Sequence, residues 1–188
     1  MQSLTWLRRE HDAIRSGLEL LETFAAKLRH DESVVAADVE AVLAFLVDVG
    51  ERCHCVREER HLFPLLERRG SSRDSRRITV LLVEHGAARE VLRTLTHLAA
   101  SLATDADSRR AFAHTVEEAV PMLRNHLDKE ERALYKLAET VLTPEDDATL
   151  AREFGLHDRG ELGEAGRAPH VLALAELAAR YGVEWRVS

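Results

Sequence analysis

Apolar positions along this chain recur at alternating spacings of three and four, the pattern of a helix that buries one face. The first stripe runs Leu4, Leu7, His11, Ile14, Leu18, Leu21, Ala25, Leu28. The third runs Ile78, Leu81, His85, Ala88, Leu92, Leu95, Ala99, Leu102, and the fourth Phe112, Val116, Ala119, Leu123, His126, Glu130, Ala133, Leu137, Val141. The second is less regular: Val39, Leu43, Val47, Gly50, His54, Glu58, His61, Leu65. Each stripe is core-like except where a histidine, or a histidine followed by a glutamate, interrupts it. Breaks at 30–33, 70–75 and 104–108 separate the stripes. Short connections between long helices predict an all-α, up-down-up-down four-helix bundle over residues 1–142.

Beyond the fourth stripe, Thr143-Pro144-Glu145-Asp146 predicts a helix start, with a capping threonine and proline in the first turn. That helix is expected to end near residue 154, before a loop containing Gly155, Gly160, Gly163 and Gly166. Pro169 to Tyr181 then reads as a last amphipathic helix. Residues 143–188 are therefore expected to form a C-terminal helical extension packed on the bundle. Pro64 and Pro121 fall inside predicted helices two and four, and each predicts a kink.

Composition sharpens this picture. Alanine, leucine, glutamate and arginine dominate, and four prolines with nine glycines leave room for long helices. A formal net charge of -7 without a basic block argues against nucleic acid or an anionic membrane surface as partner. No run of about 20 apolar residues is available to cross a bilayer, and the first nine residues do not resemble a secretion signal. Cys53 and Cys55, two apart on a helix, point away from each other and make a poor disulfide pair. A reducing, cytoplasmic setting is the expectation.

The polar interruptions carry the chemistry. His54-x-x-x-Glu58-Glu59-x-x-Leu62-Phe63 matches His126-x-x-x-Glu130-Glu131-x-x-Leu134-Tyr135, and Glu10-His11-x-x-x-Arg15 matches Glu84-His85-x-x-x-Arg89. The offsets, 85 − 11 = 74 and 126 − 54 = 72, describe two copies of one helical hairpin. Residues four apart share a helix face, so each imidazole and its carboxylate aim at one volume. At about 1.5 Å per residue, the first and last hairpins bring their histidines to matching depths. The middle connection fits less well and calls for a kink at Pro64 or a descending loop. A lone histidine in an apolar stripe is ordinarily a core histidine bonded to a neighbour. Four imidazoles and two carboxylates converging without a partner would cost several kcal/mol per charged group, so a cation is expected among them. Six groups exceed the usual four of one zinc and suit two metals bridged by Glu58 and Glu130. Nitrogen with carboxylate favours iron or manganese, and zinc can occupy the same donors.

His11, His54-x-x-x-Glu58, His85 and His126-x-x-x-Glu130, each on its own helix, resemble the hemerythrin-like family in its bacterial HHE cation-binding branch. Cys53-His54-Cys55-Val56-Arg57-Glu58-Glu59 with Leu62-Phe63-Pro64, and Val83-Glu84-His85-Gly86, are similar to it as well. The likeness spans roughly residues 4 to 142 and, more loosely, the tail to Tyr181. It implies a non-haem di-iron centre with an oxo or hydroxo bridge, held by His11, His54, Glu58, His85, His126 and Glu130. A ferritin-like di-iron bundle would need Glu-x-x-His on two helices and glutamate on the other two. Glu51 and His54 fit that rule, but Leu123 replaces the second glutamate and helices one and three offer histidine.

Arg89 stands where oxygen-carrying members of the family have a fifth histidine, and Cys55 where many bacterial relatives have another. Cys55 is read as a buried cysteine and His61 as a neighbour of the site rather than a ligand. Arg15 and Arg89 are read as ion-pairing groups, and Tyr135, matching Phe63 in the repeat, as a packing residue. Open positions on both irons point to binding or reduction of oxygen, hydrogen peroxide or nitric oxide, with catalase-like activity as one form. The alternative is a non-enzymatic iron, oxygen or redox sensor, with the acidic surface and extra helix serving a protein partner or a homodimer.

Overall fold

The structure, a computed structural model, describes residues 1–187 as six helices; among them no strand forms and no helix is long and apolar enough to cross a membrane. α1 is Gln2–Arg29 and α3 is Ser72–Ala99. α2 spans 36–69 and α4 spans 106–141, each continuous but not uniform. α5, Pro144–Leu162, and α6, Ala168–Tyr181, complete the chain. α1 to α4 form an antiparallel bundle in which α1 packs on both α2 and α4, and α3 lies between α2 and α4. α5 lies along α1 and α2, and α6 covers the other end of the same pair.

Every position of the first and third stripes is buried, as expected. In α2 and α4 the stripes hold as far as the glutamates, apart from half-buried Val47 and Leu123, and then slip by one residue. Beyond Glu58 the buried residues are Leu62, Phe63 and Leu66, not His61 and Leu65. Beyond Glu130 they are Leu134, Tyr135, Ala138 and Leu142, not Ala133, Leu137 and Val141. The cause is a change of hydrogen-bond register. Leu46–Cys55, Glu58–Leu62 and Glu130–Leu134 are π-helical, bonded i→i+5, so the chain takes in an extra residue and the inward face rotates. α3 starts at Ser72, inside the 70–75 break, which adds residues ahead of His85 and removes most of the depth mismatch of the middle connection. The wider turns of Glu58–Leu62 advance less per residue on the other side. Pro64 follows such a segment directly, in the first turn of the α-helical stretch Phe63–Arg69, where a missing N–H costs least. Around Pro121 the chain stays α-helical from Ala106 to Lys129, and the π-helical turn of α4 starts at Glu130 rather than at the proline.

α5 runs eight residues further than expected, carrying Gly155 and Gly160 within it. Reciprocal bonds between Thr143 and Asp146 start it, and buried Phe154 and Asp158 hold its second half against the bundle. That packing outweighs the roughly 1 kcal/mol that glycine costs inside a helix. Asp147 ties α5 to the chain start, accepting from the backbone N–H of Gln2 at 2.7 Å and of Ser3 at 2.9 Å, and from the Ser3 hydroxyl. Burial would raise its pKa, but those donors outweigh burial and hold it low. Its contribution is therefore present above the ordinary carboxylate range and lost as pH falls through the depressed value. Asp147→Asn is expected to cost about 1 kcal/mol at pH 7, given partial solvent screening. In urea titrations the gap to the parent should shrink below pH 4; a gap that widens there would contradict the assignment.

The apolar interior forms two clusters. One gathers Leu18, Leu21, Phe24, Val42, Phe45, Phe112 and Val116, with Leu174 and Leu177 of α6. The other gathers Leu4, Leu7, Leu62, Phe63, Leu81 and Leu134, with Leu150 and Phe154 of α5. Between them lies a polar layer.

Candidate metal centre

That layer holds all six sequence-predicted residues, each buried: His11, His54, Glu58, His85, His126 and Glu130. Single ligand atoms from His11, His54, Glu58 and Glu130 lie within 4.8 Å of one another, as do those from His85, His126 and Glu130. Glu130 reaches both groups, with Oε2 at 3.3 Å from His11 Nε2 and Oε1 at 3.3 Å from His85 Nε2 and 3.2 Å from His126 Nε2. Glu58 Oε2 lies 3.6 Å from both His54 Nε2 and His85 Nε2. Two carboxylates thus span two imidazole pairs.

The outer nitrogen of every imidazole faces a carboxylate on another helix. His11 Nδ1 meets Glu131 at 2.8 Å, His54 meets Glu10 at 3.1 Å, His85 meets Glu59 at 2.7 Å and His126 meets Glu84 at 2.9 Å. A carboxylate can only accept, so each Nδ1 carries the proton and each Nε2 turns inward. Arg15 bonds Glu131 at 2.8 Å and Asp128 at 3.1 Å, while Arg89 bonds Glu59 at 2.7 Å and Glu51 at 2.9 Å. Both arginines are ion-pairing groups, and Arg89 serves that role where a fifth histidine would stand.

With protein groups alone the centre is frustrated. His11 Nε2 and His54 Nε2 stand 3.0 Å apart, so a proton or a cation must lie between two inward lone pairs. Glu58 Oε2, Glu130 Oε2 and His126 Nε2 are buried without a hydrogen-bond partner. Burial and the neighbouring Glu130 charge push Glu58 well above the usual carboxylate range. Glu130 is held well below it, because the three imidazoles around it, His11, His126 and His85, outweigh its own burial. Burial lowers His54 to about 4, leaving a neutral imidazole. His85 is raised against its burial by Cys55, Glu130 and Glu59. Nitrogen and carboxylate donors with inward lone pairs and unmet acceptors are what a metal ion requires.

Tyr135 does not merely pack. The register shift turns it inward, where its hydroxyl donates to Glu58 Oε1 at 2.8 Å and lies 3.0 Å from His11 Nε2. The sequence signal was its unlikeness to Phe63 at the equivalent place. Glu10, Glu59, Glu84 and Glu131 stood in the repeated motifs, but their roles were not read from them. Cys53 is buried, its thiol pushed up to about 12 by burial, and both cysteines are free. Cys55, half-buried, lines a cavity of about 50 Å³ with His54, His126, Ile14, Leu18, Leu92 and Leu127. His61 faces Phe154 and His157 away from the centre, His157 bonds the Arg52 carbonyl, and His170 lies near Asp48.

Comparison with known proteins agrees with this arrangement. The family model described as Hemerythrin HHE cation binding domain matches residues 2–153. An uncharacterized protein of Mycobacterium bovis and two of Mycobacterium tuberculosis strains are each 24% identical over 178 residues. Those alignments cover 94% of this chain and 69% of each relative. No solved structure matches.

Proposed function

This chain belongs to the hemerythrin HHE cation-binding family, and from that membership we propose that it holds two iron ions and binds or reduces oxygen, hydrogen peroxide or nitric oxide. His11, His54, Glu58, His85, His126 and Glu130 would hold the pair. The observation that carries the reading is the two carboxylates spanning two imidazole pairs, with three inward-facing atoms lacking a hydrogen-bond partner. Iron, when bound, supplies the electrons and the open positions for a small ligand. Six protein groups would not fill the coordination of two iron ions, so positions would stay open on both.

The chain's own residues favour small, weakly polar ligands. The cavity beside His54 and His126 has mostly apolar walls, and about 50 Å³ admits a diatomic molecule or a peroxide but not a metabolite. Tyr135 stays protonated, because burial and the Glu58 and Glu130 carboxylates raise its pKa well above the ordinary phenol value. It can therefore donate a hydrogen bond within the centre without losing its proton. With Arg89 tied to Glu51 and Glu59, each half keeps two imidazoles, a balance that suits turnover at both ions better than carriage at one. Two unpaired cysteines suit the cytoplasm as the proposed setting.

Metal analysis with an absorption spectrum tests the reading: about two irons per chain, with oxo-to-iron charge-transfer bands, is expected. Steady oxygen release from hydrogen peroxide by the iron-loaded protein would establish disproportionation, two peroxides giving two waters and one oxygen. Bleaching without release would favour a carrier or sensor. Colourless protein that accepts zinc and refuses iron would sink the di-iron reading.

A further inference from the structure

The two halves of the centre repeat in sequence but not in surroundings. The odd-helix histidines are supported alike, His11 through Glu131 and Arg15, His85 through Glu59 and Arg89. The even-helix histidines are not. His126 is supported by Glu84, whose side chain is 20% exposed and whose cation is Lys129, 43% exposed. His54 is supported by Glu10, 3% exposed, whose cation is Arg57, 0% exposed. Arg57 and Lys129 occupy equivalent places, each one residue before a bridging glutamate.

What separates them is the C-terminal segment. α5 brings Asp158 to 3.1 Å from Arg57 Nη1, and Phe154 covers the guanidinium, with Trp6 of α1 also against it. Arg167, from the loop that follows α5, ion-pairs with Glu10 and lies over the Trp6 ring at 4.7 Å. Glu10 therefore sits between two guanidiniums in a nearly dry pocket. No residue of 143–187 is paired with Glu84 or Lys129.

We infer that residues 154–167 act as a latch on one half of the centre, making the two metal positions inequivalent: the ion at His11 and His54 is locked, while the ion at His85 and His126 exchanges. The inference rests on the two-metal reading above. An ion leaves when its imidazoles swing outward, and His54 can swing only by breaking from a Glu10 that is itself held fast, or by pulling Glu10 away from Arg57 and Arg167. Charged hydrogen bonds hold more firmly where water is excluded than where it competes. Glu84 and Lys129, already in contact with water, let His126 move at little cost. Arg57 and Arg167 are positioning residues, acting through Glu10.

The test uses the full chain loaded with two equivalents of ferrous iron, mixed without oxygen with an excess of a coloured ferrous chelator. The parent is expected to release iron in two phases of about equal amplitude, the slow one tenfold or more behind. Arg167→Ala, on a partly exposed loop, should speed the slow phase about tenfold and leave the fast phase within about twofold, and Arg167→Lys should restore most of the difference. Glu84→Gln should speed the fast phase alone. Circular dichroism confirms that each variant is folded, and Asp158→Asn replaces Arg167→Ala if that protein is not. A single release phase, or a slow phase that Arg167→Ala and Asp158→Asn both leave unchanged, would overturn the latch while sparing the metal pair. Uptake of fewer than two irons by the parent would overturn the metal pair and the latch with it.

Discussion

Glu130→Gln is expected to abolish paired metal binding, lowering uptake from about two ions per chain to one or none. Glu130 approaches His11, His85 and His126 to within 3.3 Å, so it is the carboxylate that contacts both halves most closely. Glutamine keeps the volume but removes the charge and replaces one acceptor oxygen by an NH2 group, which cannot bridge. A bound ion at a hundred times its dissociation constant stabilises the fold by about 2.7 kcal/mol. For a chain of this length, losing one such ion corresponds to roughly 5–10 °C in melting temperature. Calorimetry of the parent and the variant, each with and without iron, isolates the effect. The metal-free variant should melt somewhat below the metal-free parent, because the imidazoles around Glu130 stabilise its charge. The gain on adding iron is therefore the quantity that reports the bridge. Two tightly held irons in the variant, with the full metal-dependent gain, would show that Glu130 is no bridge.

Arg57→Ala should destabilise the fold by about 3–5 kcal/mol, the usual cost of stranding a buried charge. The guanidinium is fully buried, ion-paired with Glu10, bonded to the Cys53 carbonyl at 3.1 Å, and facing Asp158. Its removal leaves Arg167 as the one guanidinium beside both Glu10 and Asp158, with His54 still bonded to Glu10. The pH dependence gives the sign. Burial would raise the Glu10 pKa, but Arg57 and its other partners bring it down to about 2. Its stabilisation is complete above the ordinary glutamate value near 4.5 and is lost as pH falls toward 2. The deficit of Arg57→Ala should therefore be largest at neutral pH and shrink below pH 4.5. Urea unfolding at pH 7 and pH 3 measures both; a deficit under about 1 kcal/mol at pH 7 would mean that the pocket readily rehydrates.

The helices with uniform bonding were the most legible. Every position of stripes one and three is buried in α1 and α3, because an uninterrupted α-helix keeps one period from end to end. The same reasoning fails past Glu58 and Glu130, since composition and spacing do not announce a π-turn, and one extra residue turns Leu62 and Tyr135 inward. Of the candidate site, the six inward groups were legible because imidazole and carboxylate in an apolar stripe are costly without a partner. The carboxylates behind them were visible in the repeat, but their pairing was not. Glu10 adjoins His11 in sequence yet serves His54, and Glu84 adjoins His85 yet serves His126. Neighbours on a helix point about 100° apart, so such a carboxylate can support only an imidazole that another helix delivers.

The amino-acid order by itself settles the helical elements, the twofold repetition and the set of inward donors, since each follows from local period and from the cost of burying polarity. The tertiary packing alone decides which carboxylate backs which imidazole. It also decides that Arg57 is dry while its repeat partner Lys129 meets water. Those properties depend on what a residue distant in sequence lays over the site, here Phe154, Asp158 and Arg167, and no local pattern around Arg57 encodes their arrival.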